Sequence, residues 1–401
     1  MIEYIENGSV TSVKGIKGSG VFCGLKKKKK DVALIYCEKP CSAAGTFTLN
    51  KVKAAPIIIS QYIINHKHNI RAVLVNSGNA NACTGAEGHN DALESQKLVA
   101  SKLGINPSEV LISSTGVIGQ RINMDALRSG IELAVENLSE TGGIDAAEAI
   151  MTTDLAMKSY AVKVKLSSGE ITIGGMCKGS GMIMPNMATM LAFITTDAQI
   201  EQDTLQKTLS KAVNLSFNRI TVDGDTSTND MVILLANGVS GISISERSDD
   251  YKIFTDALLD LCRKMAKSIA ADGEGATKLI TVSVKKAASV SDANIVAKAI
   301  SNSPLVKTAM NGCDANWGRI ISAIGNSGID FDPAKVCINF GDIKILQPNF
   351  KADFSEEEAK KYLMNNEIEL NIEINTGNEE STWYTCDFST KYIEINASYR
   401  S

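Results

Sequence analysis

Short apolar segments alternate with segments of helical periodicity along the whole 401-residue chain. Apolar runs of about four to eight residues are typical of strands, whereas apolar residues that recur every three or four positions predict helices. This interleaving predicts an α/β (α+β) protein and argues against an all-β fold or a helical bundle. Helices are predicted at 90–103, 124–137, 201–215 and 252–271, and strands at 71–75, 110–112, 161–166, 170–174, 191–195, 279–285, 336–340, 367–374 and 392–395.

Charge and hydropathy narrow the class of partner. The formal net charge is −4 and the sequence pI is about 5.6, whereas a dedicated nucleic-acid-binding protein needs a basic surface. No apolar run approaches the roughly 18–20 residues that cross a bilayer. The first residues also lack the basic and apolar regions of a signal peptide. We therefore expect a cytoplasmic protein that binds neither nucleic acid nor a membrane.

The cysteine and histidine counts bear on the chemistry. Nine cysteines are scattered along the chain without a C-x-x-C pair, so we expect reduced, buried thiols and no metal site. Only three histidines occur. One histidine is enough for a Ser-His-Asp or Cys-His enzyme, but this scarcity directs attention to chemistry that needs none.

Polar, glycine-containing segments interrupt the apolar framework at four places, and sites in α/β proteins favour such loops at strand ends. They contain neither a Walker A loop nor a dinucleotide-binding fingerprint, and each taken singly is interpreted most simply as a turn. The run Lys26–Lys30 is interpreted as a solvated turn before a strand, with a phosphate-binding patch as the alternative. The four segments are 76–85, 113–119, 178–190 and 272–277.

The third polar segment is unusual because glycines and Pro185 lead directly to Thr189 at the head of an apolar strand. A threonine hydroxyl is a weak nucleophile, and it can be activated without histidine if the threonine is N-terminal and its own α-amine is the base. That amine has a reference pKa of about 7.7–8.0, which suits a base at neutral pH. Self-cleavage of the Ala188–Thr189 bond would create it. The hydroxyl attacks the preceding carbonyl, the acyl group moves from nitrogen to oxygen, and water hydrolyses the ester.

The stretch 178–193 closely resembles the self-cleavage segment of the ornithine acetyltransferase (glutamate N-acetyltransferase) family of bifunctional arginine biosynthesis proteins. Two positions depart from the family pattern: Ser401 replaces a common threonine but keeps a hydroxyl, and Met184 replaces a common alanine. Further stretches resemble family signatures, in the family's order and along nearly the whole chain. They are 41–56, 76–82, 114–119, 151–154, 221–230, 273–278, 314–319 and 396–401.

The resemblance implies a layered sandwich of sheets and helices with a self-processing site like that of N-terminal-nucleophile enzymes. It implies a cut between Ala188 and Thr189, which gives an α chain (1–188) and a β chain (189–401). Thr189 would be the nucleophile that carries the acetyl group. The Thr115 hydroxyl and the Gly116 amide would form the oxyanion hole, in which one donor typically contributes about 3 kcal/mol.

The resemblance also implies a binding site for amino-acid substrates. Lys178 would pair with a carboxylate, and Glu274 would hold an ammonium group. The spacing to Lys178 favours Thr152 over Thr153 as the binding threonine. The full implied set is Thr152, Lys178, Thr189, Glu274, Asn396 and Ser401.

The implied activity is ping-pong transfer of an acetyl group from N2-acetyl-L-ornithine to L-glutamate, without a metal or a bound organic cofactor. Some family members also use acetyl-CoA as donor, and no motif decides whether this chain does. The resemblance implies α and β chains assembled as an α2β2 heterotetramer. Two alternatives stay open: an amidase or aminopeptidase in which water replaces glutamate, and a binding protein whose precursor is never cut.

Overall fold

The computed structural model describes residues 2–184 and 190–398. The chain divides into two compact units. One is Met1–Asn218 with Asp225–Met265, and the other is Arg219–Gly224 with Ala266–Ser401. The predicted cut after residue 188 falls inside the first unit, so these units are a different division from the two predicted chains.

Strands and helices interleave along the described residues. In chain order the strands are β1 (Ile2–Tyr4), β2 (Ile16–Val21), β3 (Val32–Phe47), β4 (Ile70–Asn79), β5 (Val110–Val117), β6 (Lys158–Lys165), β7 (Glu170–Lys178), β8 (Leu191–Thr196), β9 (Gln199–Ile200), β10 (Ile220–Thr221), β11 (Met231–Ala236), β12 (Ser243–Ile244), β13 (Leu279–Ala287), β14 (Cys337–Phe340), β15 (Ile343–Leu346), β16 (Glu367–Glu373) and β17 (Glu379–Cys386). The helices are α1 (Ala55–Asn65), α2 (Gly85–Leu103), α3 (Met124–Glu136), α4 (Gly143–Ile150), α5 (Gln202–Asn214), α6 (Asp249–Ala271), α7 (Val290–Asn302), α8 (Pro304–Asn311), α9 (Trp317–Gly325), α10 (Glu356–Leu363) and α11 (Thr390–Ala397). Short 3-10 turns occur at Val10–Ser12, Pro107–Glu109, Phe217–Arg219 and Pro333–Lys335.

Nine of the described strands of the first unit form one sheet in the order β1-β6-β7-β8-β11-β3-β4-β5, with β2 paired to β3. The other two, β9 and β12, form a separate parallel pair. The long strand β3 joins two parts of this sheet, because its C-terminal half pairs with β11 and its N-terminal half pairs with β2 and β4. Strands β8 and β11 run parallel, and all their residues are buried. Burial on both faces explains why both are mostly apolar in sequence.

Helices pack against the sheet of the first unit. α1 contacts both β5 and β3, α2 contacts β5, and α3, α4 and α5 contact β3. The part of α6 that belongs to this unit lies on β7, where a Cβ on Gly175 would come within 3.1 Å of the Met265 side chain. α2 ends before Gly104, which adopts the left-handed conformation (φ +67°) common after a helix C-terminus. The sheet and its helices form a layered core.

The second unit has a six-stranded sheet in the order β10-β17-β13-β16-β14-β15 over the described residues. β13 lies between β16, which is parallel to it, and β17, which is antiparallel. α7 packs on β13 and β17. Serine or asparagine side chains cap the first turns of α7, α8 and α9, and each accepts a backbone N–H two or three residues inside the helix.

The mixed α/β class and the layering of sheets and helices are confirmed. The predicted hairpin across 161–174 is β6 and β7, joined by a turn at 167–169. Two polar segments predicted as loops are wrong in part, because β4 continues to Asn79 and β5 to Val117. The strand predicted at 392–395 is wrong: these residues lie in α11, whose first turn is capped by the Ser389 side chain.

The lysine run 26–30 is a turn before β3, as predicted, but it is only partly solvated. Lys27–Lys29 are exposed, Lys30 pairs with Asp145 and Glu148, and the Lys26 side chain turns inward. The nine cysteines are free thiols, as predicted, and six of them are buried. The predicted burial is wrong for Cys83, which is exposed, and only partly right for Cys23 and Cys313, which are half-buried. Within residues 2–184 and 190–398, none of the helices combines the length and apolar character needed to span a bilayer.

Candidate active site

Thr115 and Gly116 lie near the C-terminal end of β5, beside the parallel strand β4. Gly116 has a φ of +132°, and a Cβ at this position would lie 2.3 Å from the carbonyl carbon of Gly78 and 2.5 Å from the nitrogen of Asn79. Both facts require glycine, because a side chain would strain the backbone and separate the strands. Thr115 is buried next to it.

Side-chain amides hold these strand ends together. Ser114 Oγ donates to Asn76 Oδ1 (2.5 Å), and Asn76 Nδ2 donates to the Asn79 carbonyl (2.9 Å). Asn229 Nδ2 donates to the carbonyls of Ser114 (2.8 Å) and Ala80 (2.6 Å). This network explains why polar, glycine-rich sequence continues the strands: side chains satisfy backbone carbonyls near the sheet's end.

Thr152 and Lys178 both contact the buried carboxylate of Asp154, a residue that is not among the predicted site residues. Asp154 Oδ2 accepts the Thr152 N–H (3.0 Å) and lies 4.0 Å from Lys178 Nζ. Asp154 Oδ1 accepts from Lys158 Nζ (2.8 Å) and from the Gly179 N–H (2.7 Å). Burial alone would raise the pKa of Asp154, but the ammonium groups of Lys178 and Lys158 outweigh it and hold that pKa below its usual range.

Lys26 is half-buried here, although its place in a lysine run predicts a solvated side chain. Its Nζ donates to the Met151 carbonyl (2.9 Å), which lies next to Thr152. Its stem lies at Gly78, where a Cβ would come within 2.9 Å of Lys26 Cγ. Burial, together with the positive charges of Lys29 and Lys178, lowers the pKa of Lys26 to about 8. Lys26 therefore links the surroundings of Gly116 to those of Thr152.

Ala188 and Thr189 lie outside the described residues, but the strands before and after the segment 185–189 are neighbours in the sheet. β7 and β8 are antiparallel neighbours, and Lys178 is directly opposite Leu191. The Met190 N–H donates to Asp230 Oδ1 (3.0 Å), and the Met231 N–H donates to the Met190 carbonyl (3.2 Å). The residue that follows Thr189 is thus anchored to the start of β11.

Glu274 and Asn396 lie together in the second unit. Asn396 Nδ2 donates to Glu274 Oε2 (2.9 Å), with Glu274 buried and Asn396 exposed on α11. Gly275 has a φ of +72°, and a Cβ there would lie 2.5 Å from the Tyr392 nitrogen. The predicted Ser401 lies outside the described residues.

The predicted site residues therefore form pairs: Thr115 with Gly116 and Thr152 with Lys178 in the first unit, and Glu274 with Asn396 in the second. Asp154 and Asp230 were missed as individual residues, although both lie inside the stretches 151–154 and 221–230 that resemble family signatures. A carboxylate in a short polar motif gives no sign of its partners until the fold brings lysines or backbone amides to it.

A family model, curated relatives and a solved structure all match this chain to one family. The ArgJ family model matches residues 17–401. The arginine biosynthesis bifunctional protein ArgJ of Oceanobacillus iheyensis is 47% identical over 404 residues, covering 100% of this chain and 98% of that protein. The protein of the same name from Symbiobacterium thermophilum is 47% identical over 398 residues, covering 98% of this chain and 99% of the relative. A crystal structure of ArgJ from Bacillus halodurans is 46% identical with a TM-score of 0.50, over 51% of this chain and 97% of that one. The family that the sequence resembles is thereby confirmed, and the chain belongs to the ArgJ family.

Proposed function

We propose that this chain is a self-processing acetyltransferase that moves an acetyl group from N2-acetyl-L-ornithine to L-glutamate. The observation that carries the proposal is the match to the ArgJ family over residues 17–401, together with full-length relatives named as arginine biosynthesis bifunctional proteins. The reaction belongs to a biosynthetic pathway, and we place it in the cytoplasm.

The first step is self-cleavage between Ala188 and Thr189. The solved Bacillus halodurans chain is matched over 97% of its length but covers only 51% of this one, and a chain of about half length is what a cut precursor leaves. The position of the cut also suits the sheet: β7 would end the α chain and β8 would begin the β chain, and the hydrogen bonds between them would keep the two chains together.

The second step is acetyl transfer through Thr189. The hydroxyl attacks the acetyl carbonyl of acetylornithine while the free α-amine takes its proton, and ornithine leaves with that proton. The amine of glutamate then attacks the acetyl-threonine ester and regenerates the hydroxyl. In both halves the Thr115 hydroxyl and the Gly116 amide stabilise the oxyanion. The close packing of Gly116 on Gly78 supports this role, because it holds the end of β5 rigidly against β4.

The substrate is held by residues from several parts of the chain. Lys178 pairs with the substrate carboxylate beside Thr152, and the shared contact of both with Asp154 supports this grouping. Glu274, which Asn396 orients, holds the substrate ammonium group. Ser401 contributes its hydroxyl.

The proposed chemistry needs no resident metal or organic cofactor, because the chain supplies the nucleophile, the base and the oxyanion donors. Acetyl-CoA is proposed as a second acetyl donor, and the processed chains as an α2β2 assembly. An assay with acetylornithine and with acetyl-CoA in parallel tests the donor, and light scattering of the cut protein tests the assembly.

Intact mass under denaturing conditions tests the cut. The 42.8 kDa chain should separate into fragments of roughly 20 and 23 kDa once the N-terminal nucleophile is formed. Thr189→Ala should stay as one chain and transfer no acetyl group, whereas Thr189→Ser keeps a hydroxyl and should still be cut. A wild-type protein that stays uncut and is fully active contradicts the proposal.

Product analysis separates transfer from hydrolysis. With acetylornithine and glutamate, the proposed enzyme forms N-acetylglutamate and ornithine in equal amounts. Release of free acetate at the same rate with or without glutamate would instead identify an amidase or aminopeptidase.

A further inference from the structure

The ammonium group of Lys26 is held at the C-terminal end of α4. Its Nζ donates to the carbonyls of Met151 (2.9 Å) and Ala149 (3.4 Å). A lysine ammonium carries three donors, so one N–H is left without a hydrogen-bond partner among residues 2–184 and 190–398. The side chain is half-buried, and solvent therefore reaches it. The group can donate to a ligand without giving up its contacts with the helix.

A buried carboxylate fixes the loop that carries Lys26. Asp31 is fully buried. Its carboxylate accepts three backbone N–H groups of this loop at 2.8–3.0 Å, those of Cys23, Gly24 and Lys26. The stem of the lysine is held as well, because Gly78 leaves room for it beside β4. A lysine that is already ordered loses less conformational entropy when it binds an anion.

A short path of contacts joins Lys26 to the proposed carboxylate site. Lys26 Nζ bonds the Met151 carbonyl, and the N–H of the next residue, Thr152, donates to Asp154 Oδ2 at 3.0 Å. That oxygen lies 4.0 Å from Lys178 Nζ. The two ammonium groups are near enough for the charge of Lys178 to lower the pKa of Lys26. Such a pair is stabilised by an anion that contacts both groups.

Burial and four charged groups set the protonation of Lys26. Burial lowers its pKa most, and the ammonium groups of Lys29 and Lys178 lower it further, whereas Asp31 and Asp154 raise it. The resulting pKa is about 8. Lys26 is therefore mostly charged at neutral pH, and it loses its charge as the pH rises through about 8.

The two amino-acid substrates of the proposed reaction differ at the end of their side chains. Acetylornithine carries one carboxylate and a side-chain ammonium group, whereas glutamate carries two carboxylates. In the proposed site Lys178 pairs with the carboxylate that both share, which leaves the second carboxylate of glutamate unpaired. Because burying an unpaired carboxylate is costly, the acceptor needs a second cationic group.

We propose that Lys26 binds the side-chain carboxylate of glutamate and thereby selects a dicarboxylic acceptor, an inference that rests on the proposed function. The N–H that the α4 carbonyls leave over donates to a carboxylate oxygen, and the ammonium charge strengthens this hydrogen bond. Lys26 forms no covalent bond and transfers no proton. It is a specificity-determining residue for the second half of the reaction, in which glutamate takes the acetyl group.

A purely structural role is the alternative, because a cation at a helix C-terminus also stabilises the helix. Glutamine distinguishes the two roles, since it has the length and shape of glutamate but an uncharged side-chain amide. A contact between Lys26 and the carboxylate changes kcat/KM for glutamate relative to kcat/KM for glutamine. Stabilisation of α4 changes both values by the same factor.

The test compares glutamate and glutamine as acetyl acceptors for wild type, Lys26→Met and Lys26→Arg, with acetylornithine as donor. A hydrogen bond to a charged group is typically worth enough that Lys26→Met should raise the KM for glutamate about tenfold or more. The preference for glutamate over glutamine should fall by the same factor. The kcat/KM for acetylornithine should keep its wild-type value. Lys26→Arg keeps the charge and should keep most of the preference.

Lys30→Met is the matched control. Lys30 belongs to the same lysine run and contacts the same helix, but its Nζ pairs with Asp145 (2.6 Å) and Glu148 (2.8 Å). Removing it should leave the preference for glutamate unchanged. If Lys26→Met keeps the wild-type preference, or loses activity towards both acceptors by the same factor, Lys26 does not bind the carboxylate, although the proposed function stands.

A measurement on the wild-type protein covers the case in which Lys26→Met does not fold. Because kcat/KM reports the free enzyme, the preference for glutamate should be complete below pH 8 and should fall above it, where Lys26 loses its proton. In Lys26→Arg the guanidinium stays charged, so the preference should stay constant between about pH 7 and 9. This profile also corrects for any difference between the amines of the two acceptors.

Two outcomes of the pH series contradict the proposal. A wild-type preference that does not change between about pH 7 and 9 overturns the contact between Lys26 and the carboxylate. A wild type that transfers acetyl to neither acceptor overturns the proposed function together with it.

Discussion

At the residue scale, Gly116 has little freedom to change. Its Cα faces Gly78 across the parallel strands, and the clash that a Cβ would cause involves backbone atoms of Gly78 and Asn79, which cannot rotate away. A nearby glycine, Gly119, also has a positive φ (+81°), but nothing lies within 4 Å of a Cβ there. Comparing Gly116 with Gly119 therefore distinguishes the cost of backbone strain from the cost of forcing β4 and β5 apart.

Gly116→Ala should therefore cost about 3 kcal/mol or more, because left-handed strain and overpacking add, whereas Gly119→Ala should cost about 1 kcal/mol from strain alone. Chemical denaturation measures both. Acetyl transfer should be lost in Gly116→Ala and nearly unchanged in Gly119→Ala. Equal losses of stability in the two variants would show that β4 and β5 move apart to accommodate the added methyl group at little cost.

Asp154 offsets part of the free-energy cost of burying the ammonium groups of Lys158 and Lys178. Replacing it by Asn leaves the Lys158 ammonium, which is 1% exposed, without its carboxylate. Removing one partner of a buried ion pair typically costs about 3–5 kcal/mol. We expect that loss in Asp154→Asn by urea denaturation, and a smaller loss in Asp154→Asn combined with Lys158→Met, because the double variant buries one positive charge fewer.

The same carboxylate predicts a dependence of stability on pH. The pKa of Asp154 in the folded chain lies below its unfolded value of about 3.9, so its contribution is complete above that pH and is lost as the pH falls towards the folded pKa. Wild type should lose stability below about pH 4 more steeply than Asp154→Asn does. Urea midpoints between about pH 2 and 5 test this, and parallel curves would contradict it.

At the element scale, α11 depends on its cap. None of its residues is buried, so packing adds little to its stability. Ser389 Oγ accepts the Lys391 N–H (3.2 Å) and donates to the Gly275 carbonyl (2.5 Å), which joins the helix to the turn that carries Glu274. The helix therefore sets where Asn396 meets Glu274.

Ser389→Ala should destabilise α11 by about 1 kcal/mol and raise the KM for acetylornithine, since Asn396 then orients Glu274 less well. Hydrogen exchange across α11 measures the fraying. Ser355→Ala is the control: it removes the N-cap of α10, which also buries Ala359 and Leu363, and it should leave the KM unchanged. An unchanged KM in both variants would remove α11 from the proposed substrate site.

How much of the fold the sequence predicts depends on where each element gets its stability. The helix predicted over 252–271 agrees with α6 to within three residues, because the apolar periodicity that predicts it lies within the helix's own sequence. β2 is not found, because its sequence Ile-Lys-Gly-Ser-Gly-Val has no strand pattern. Its glycines are required by tertiary packing: a Cβ on Gly20 would lie 1.9 Å from the Asp145 carbonyl of α4.

The candidate site divides in the same way. Thr115, Gly116 and Lys178 are indicated by local motifs that resemble a family, whereas Lys26 lies in what is interpreted as a solvated lysine run. Its inward turn depends on the carbonyls at the end of α4, which are far away in sequence. Charges whose partners are brought by the fold are invisible in a single sequence.

At the scale of the whole molecule, the two compact units have no linker between them that composition could show. The chain crosses between the units after Asn218, again after Gly224, and for the last time inside α6, between Met265 and Ala266. A helix that continues through a boundary carries neither the glycine nor the proline that usually mark one. The sequence therefore carries no sign of a boundary at that point.

The proposed chains depend on each other through the sheet of the first unit. β8, at the start of the β chain, lies between β7 of the α chain and β11. Residues 1–188 and 189–401 should each be insoluble when expressed alone, because an apolar strand or its neighbour is left uncovered. Co-expressed, they should form a soluble complex that transfers acetyl once the initiator methionine is removed from Thr189. Soluble, separately folded fragments would contradict this interdependence.

The central place of β8 in that sheet affects how the protein refolds after it has been cut. If the chain is cut as proposed, it folds once as a single polymer, but any later refolding requires two separate chains to find each other. Recovery then depends on concentration and competes with aggregation. The lifetime of the enzyme would be governed by how slowly it first unfolds, since the cut removes the connection that would have guided its return.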